Sequence, residues 1–87
     1  LKSPVDKYER YILEKMLEHL WIGGRHTAVD NLPKGLPRKD FGDAQAAIKR
    51  LIKQGFILIK KTGYGDQASL DPKMVEQAKK NIQEPGC

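Results

Sequence analysis

Eighty-seven residues, 39% hydrophobic and 31% charged, are enough for one small globular domain and exclude a disordered chain. No apolar run approaches the ~20 residues of a membrane span, and Cys87, the single cysteine, excludes an internal disulfide framework. The net charge of +5 points to an acidic partner. One domain over residues 1–87 is expected, with a core at about 6–71 and a C-terminal helix at about 72–83. The lone thiol and the absence of a signal peptide in polar residues 1–11 predict an intracellular protein.

Ser3-Pro4-Val5-Asp6 carries a helix-start pattern, with Ser3 as cap and proline in the first turn. Ile12, Leu13, Met16, Leu17, Leu20 and Trp21 then recur at helical spacing, and Gly23-Gly24 supplies the stop. Arg25-His26-Thr27 predicts a very short strand. Thr27 to Asp30 repeats the capping pattern and opens a short helix to about Leu32. Pro33, Gly35 and Pro37 break the following link. Asp40 caps the next helix, predicted over about 40–54 and stopped by Gly55. On its helical wheel Ala44, Ala47, Ile48, Leu51 and Ile52 fall on one side, and Gly42, Ala46, Lys49, Arg50 and Lys53 on the other, with Asp43 and Gln45 at the margins. Phe56 to Lys60 is β-prone, Gly63-Tyr64-Gly65-Asp66 forms a turn, and Gln67 to Leu70 returns as a strand. Asp71-Pro72 starts a final helix with a thin stripe of Met74 or Val75, Ala78 and Ile82.

The excess charge is concentrated. Residues 34–61 hold Lys34, Arg38, Lys39, Lys49, Arg50, Lys53, Lys60 and Lys61 against Asp40 and Asp43, a net of +6 that exceeds the charge of the whole chain. Clustering of this kind is the footprint of a polyanion partner.

The order helix, short strand, helix, helix, strand, loop, strand, helix, and the run RLIKQGFILIKKTGYGDQASLDPK, resemble the winged helix-turn-helix superfamily. The layout is similar to that of the multiple-antibiotic-resistance type of bacterial repressor and of many small archaeal winged-helix proteins. The resemblance spans about residues 6–83 and departs from common forms in the proline- and glycine-containing link PKGLPRKD. It implies an α+β winged helix: a three-helix bundle, a small antiparallel hairpin wing and an extra C-terminal helix. It further implies binding of double-stranded DNA, with helix 40–54 in the major groove and a basic wing at about 60–67 on the backbone, in a transcription regulator or the DNA-binding part of a larger protein.

That geometry assigns chemistry to particular residues. Lys49, Arg50 and Lys53 suit phosphates or guanine edges, and Gln45 can pair with adenine. Ala46 is small enough for close approach and can touch a thymine methyl. Arg38 and Lys39 precede a helix N-terminus that already favours phosphate. Lys60, Lys61 and Tyr64 form the wing, where flanking glycines hold the aromatic ring in solvent. Asp43 serves the helix dipole and Asp66 the turn. Each basic residue taken alone also fits a plain solvated surface.

Other classes are weaker. No histidine or cysteine has an acid–base partner nearby, and Gly63 and Gly65 do not precede a helix as a phosphate loop requires, so no enzyme is expected. His19 and His26 lack the neighbours of a metal site, and no cofactor is expected. The alternatives to duplex DNA are RNA and a protein-interaction module. A homodimer or larger assembly would form through the terminal helices.

Overall fold

The computed structural model describes residues 6–83. The chain is α+β, with three α-helices and one three-stranded antiparallel sheet. Helix α1 spans Lys7–Glu18, β1 Thr27–Ala28, α2 Phe41–Lys53, β2 Ile57–Thr62, β3 Gly65–Leu70 and α3 Val75–Gln83.

Asp6 is the N-cap of helix α1. The Asp6 carboxylate accepts from the Glu9 backbone N–H at 2.7 Å, and Glu9 accepts from the Asp6 N–H at 2.9 Å, a reciprocal capping box. The predicted start at Ser3 and Pro4 lies outside the described residues. The helix also stops earlier than its glycines suggest. Leu20 adopts φ +58°, and the Trp21 N–H returns to the Met16 carbonyl while the Leu20 N–H returns to Leu17. These are the paired bonds of a Schellman stop, with leucine in the left-handed position that glycine usually occupies. Leu20 therefore leaves the core stripe and is 54% exposed, while Ile12, Leu13 and Met16 are fully buried.

The predicted strand at 25–27 appears two residues later, as β1. Thr27 does not cap a helix. Its hydroxyl accepts from the Asn31 amide at 2.9 Å, and Val29–Asn31 forms only a 3₁₀ turn. The expected bundle of three helices plus a C-terminal one is thus reduced to three α-helices among the described residues. The Tyr11 hydroxyl and the Lys15 ammonium both donate to the Lys34 carbonyl and pin the link to α1. A second 3₁₀ turn, Arg38–Asp40, leads into α2. Asp40 holds the cap position without capping through its side chain.

Helix α2 stops where the sequence places the stop. Gly55 sits at φ +89°, and the Phe56 N–H returns to Leu51. Ala44, Ala47, Ile48 and Leu51 are buried as the wheel predicts, but Ile52 is 37% exposed. Both strands of the hairpin are longer than predicted. Asp66 lies in β3 opposite Lys61, so the turn reduces to Gly63 and Tyr64. Gly65, at φ +114°, provides the backbone reversal that closes so short a loop.

The sheet order is β1-β3-β2. Ile57, Phe56, Ala68 and Leu70 pack against Ile12, Leu13 and Met16 of α1, Leu32, Ile48 and Leu51 of α2, and Ala78 of α3 in one core. Asp71 caps the turn Pro72–Met74 by accepting from the Lys73 N–H at 3.0 Å, as its acid-proline pattern predicts, and α3 follows. Ala78 is buried, and Met74 and Ile82 pack at the margin of the core.

The two helix stops respond oppositely to substitution. Gly55→Ala is expected to cost about 1 kcal/mol because its φ is unfavourable to any Cβ. Leu20→Gly is expected to raise stability by roughly 0.5 kcal/mol, since relief of a left-handed leucine outweighs the added chain entropy. Urea denaturation of both variants measures the pair, and equal destabilisation would refute the account of Leu20.

Candidate nucleic-acid interface

Helix α2 presents a solvent face, a flank toward the hairpin and a flank toward α1. Gly42, Ala46, Lys49 and Lys53 point away from the core and are exposed. A Cβ at Gly42 would meet no atom within 4 Å, so this face is open at its N-terminal end. Gln45 and Ile52 lie on the flank toward the hairpin.

Arg50 belongs to the flank toward α1, not to the open face expected of it. Its guanidinium donates to Asp6 at 2.6 Å and to Glu9 at 3.2 Å. The Glu9 side chain is only 8% exposed, against 45% for Arg50. Gln54 donates to the same Glu9 oxygen at 3.2 Å. One buried carboxylate thus caps α1 and holds the C-terminal half of α2. A residue at 100° from the centre of a solvent face reaches a neighbouring helix as readily as solvent, and wheel geometry alone does not separate the two.

The other end of the α1–α2 contact is also tied. The Tyr8 hydroxyl donates to Asp40 at 3.0 Å. This bond, partial burial and the Asp40 charge, joined by Asp43, push the Tyr8 phenol up to about 12. Asp40 and Asp43 therefore face α1, and their charge is directed away from Lys49 and Lys53.

The hairpin sorts its basic residues between two faces. Cross-strand partners share a face, and successive residues alternate. Ile57 pairs with Leu70, Ile59 with Ala68 and Lys61 with Asp66 on the side of the core. Leu58, Lys60 and Thr62 pair with Ser69, Gln67 and Gly65 on the other side. Lys60 and Lys61, expected to act together, thus point in opposite directions. Both stand on an edge strand, where lysine also discourages pairing with another sheet. Tyr64 at the tip is 100% exposed. The Thr62 hydroxyl braces the turn beneath it, donating to the Gly65 carbonyl at 2.7 Å and accepting from the Tyr64 N–H at 3.2 Å.

Between α2 and the hairpin runs a cleft of about 260 Å³. Val29, Ile48, Ile52 and Ile59 form its floor, and Gln45, Lys49 and Asp66 its rim. Sequence reasoning missed Val29, Ile52, Ile59 and Asp66 as parts of this site. The alternation through Ile57, Ile59 and Lys61 was a signal for Ile59, but no local pattern brings Val29 to α2.

Among the described residues some basic groups have internal partners and others, including Arg25, Lys34, Lys73 and Lys80, form no side-chain ion pair or hydrogen bond. Arg50 is paired, Lys15 donates to the Lys34 carbonyl, and Lys79 lies 3.9 Å from Glu76. Arg38, Lys39, Lys49, Lys53, Lys60 and Lys61 form no ion pair or hydrogen bond within the described chain. Arg38 and Lys39 lie exposed on the turn that enters α2. The histidines stand apart from this set: His19 stacks on Trp21 at 4.5 Å, and His26 contacts Gln67 at 3.3 Å. On the surface shared by α1 and α3, expected as an assembly contact, Leu17 and Ile82 lie in a groove beside Glu14, Glu18 and Lys79. No helix among the described residues is long and apolar enough to cross a membrane.

No protein-family model, curated protein or solved structure matches this chain.

Two measurements follow from the clamp. Arg50→Ala leaves the Glu9 carboxylate buried without its cation and is expected to cost about 1–2 kcal/mol in urea denaturation, the partial exposure of Arg50 reducing the full buried-pair value. A cost below that of a surface lysine-to-alanine change would refute the clamp. The Tyr8 phenol has a higher pKa folded, about 12, than its ordinary 10.0. Its contribution is therefore complete below pH 10 and lost as pH rises toward 12. Comparison of pH-dependent stability with Tyr8→Phe isolates this term from the lysines; identical alkaline slopes would refute the bond to Asp40.

Proposed function

We propose that this chain is a winged-helix domain that binds double-stranded DNA, as a transcription regulator or the DNA-binding part of a larger protein. The element order and the β1-β3-β2 sheet support the winged-helix reading. Its departure is the 3₁₀ turn at Val29–Asn31 in place of a helix before α2.

The observation that carries the proposal is the sorting of charge. Six cations without an internal partner stand on α2, its entry turn and the hairpin, while the acids of this region are turned toward α1 or the cleft. Unpaired, solvated cations are the groups that release counterions from a duplex when they meet phosphate. In this reading Lys49 and Lys53 flank the groove entered by α2, Gln45 and Ala46 meet base edges, and Arg38 and Lys39 hold phosphates at the helix start. Lys61 and Tyr64 rest on the adjacent backbone, with Lys60 on the outer side of the hairpin. Arg50 is assigned to the fold and not to the contact.

Titration of a random duplex across a salt series tests this. Log affinity against log salt is expected to fall with a slope of roughly −3 to −5. Lys49→Ala and Lys61→Ala each reduce that slope by about one, whereas Lys80→Ala on α3 leaves it unchanged. Absence of binding at ~50 mM salt, or a flat slope, would sink the proposal. A structured RNA that competes better than duplex DNA would move the assignment to RNA.

A further inference from the structure

The cleft between α2 and the hairpin has an aliphatic floor and an acidic rim group, Asp66, that duplex binding does not use. Its floor is aliphatic: Ile48 is 4% exposed, Ile52 is 37% exposed, and Val29 and Ile59 are half-buried. Its rim holds one cation, one anion and one amide, Lys49, Asp66 and Gln45, and none of them has an internal partner among the described residues. A phosphate would meet Lys49 but be repelled by Asp66, and would leave the floor bare. A fatty acid would fill the floor and pair with Lys49 while desolvating Asp66 without compensation. An apolar amine would do the reverse. A molecule that satisfies the whole set carries a cation, an anion and an apolar body close together.

We infer that the α2–hairpin cleft binds a free α-amino acid with a bulky apolar side chain. The side chain lies on Val29, Ile48, Ile52 and Ile59, the carboxylate meets Lys49, the ammonium meets Asp66, and the Gln45 amide bonds to either. The cleft, of about 260 Å³, has room for a molecule smaller than those of ~300–1,000 Å³ drug-sized sites. The cleft is open and its charges are solvated, so affinity is modest, with a dissociation constant on the order of 1 mM.

The site has a consequence that rests on the DNA reading above. Lys49 and Gln45 serve both ligands, so an amino acid in the cleft and a duplex against α2 exclude each other. By linkage, amino acid at ten times its dissociation constant weakens duplex binding roughly tenfold. The pair of sites would make the domain a regulator released by an apolar amino acid.

Methyl NMR of the free protein titrated with L-leucine and L-phenylalanine tests the ligand site without DNA. Saturable shifts are expected at Val29, Ile48, Ile52 and Ile59. N-acetyl-leucine, leucinamide and glycine, which lack the ammonium, the carboxylate and the side chain respectively, are each expected to bind at least roughly threefold more weakly. Asp66→Asn removes the preference for leucine over N-acetyl-leucine. Absence of shifts up to ~10 mM, or equal binding of N-acetyl-leucine, overturns the inference. Duplex titration with and without leucine tests the exclusion; unaltered affinity overturns it. Loss of amino-acid binding with intact duplex binding refutes this inference alone, and the converse result refutes the DNA reading alone.

Discussion

Glu9 is the group on which the arrangement of the two long helices depends. Its carboxylate is nearly enclosed, yet it meets three donors: the Asp6 N–H, the Arg50 guanidinium and the Gln54 amide. A buried carboxylate is tolerated only with its hydrogen bonds and charge satisfied. The first donor comes from its own helix end and the other two from α2, so the start of α1 and the rotation of α2 about its axis are set by one side chain. If α2 turned by one residue, Arg50 would leave Glu9, and Ile48 would leave the core. Electrostatics and packing therefore select the same rotation.

That rotation determines which charges are available to a partner. With Arg50 drawn to α1 and Asp40 and Asp43 facing Tyr8, the remaining outward side chains of α2 are Lys49 and Lys53 among small residues. The clamp thus removes one cation from the exposed set while separating the acids from it. Beside this surface the hairpin is held by Thr62 and Gly65 beneath Tyr64, a rigid support for a fully solvated ring. The ring itself is fully exposed.

The sequence made the main elements legible but not their ends. Helix α2, its stop at Gly55, the hairpin and the Asp71-Pro72 start follow from periodicity and turn chemistry, which act over a few residues. The differences lie at the element ends. The Asp6-Glu9 pair carries the reciprocal capping bonds at the start of α1. Gly23-Gly24 offers a stop, but the chain turns at Leu20, a sterically poorer residue three positions earlier. That choice brings Trp21 to the core margin and lets its carbonyl accept from the Leu70 N–H at 2.8 Å. Thr27 has the residue type of a cap, but Asn31 claims its hydroxyl.

The sequence by itself determined an α+β domain, a basic amphipathic second helix and a glycine-bounded hairpin, because each depends on residues close in the chain. Tertiary structure alone decided which basic residues remain unpaired, that Lys60 and Lys61 face opposite ways relative to the core, and that Val29, Gln45, Lys49 and Asp66 share one cleft. Those relations depend on which face of each element the core buries and on pairings between residues far apart in the chain, such as Glu9 with Gln54, 45 positions on. Local spacing carries no information about such partners; burial of the common core fixes them.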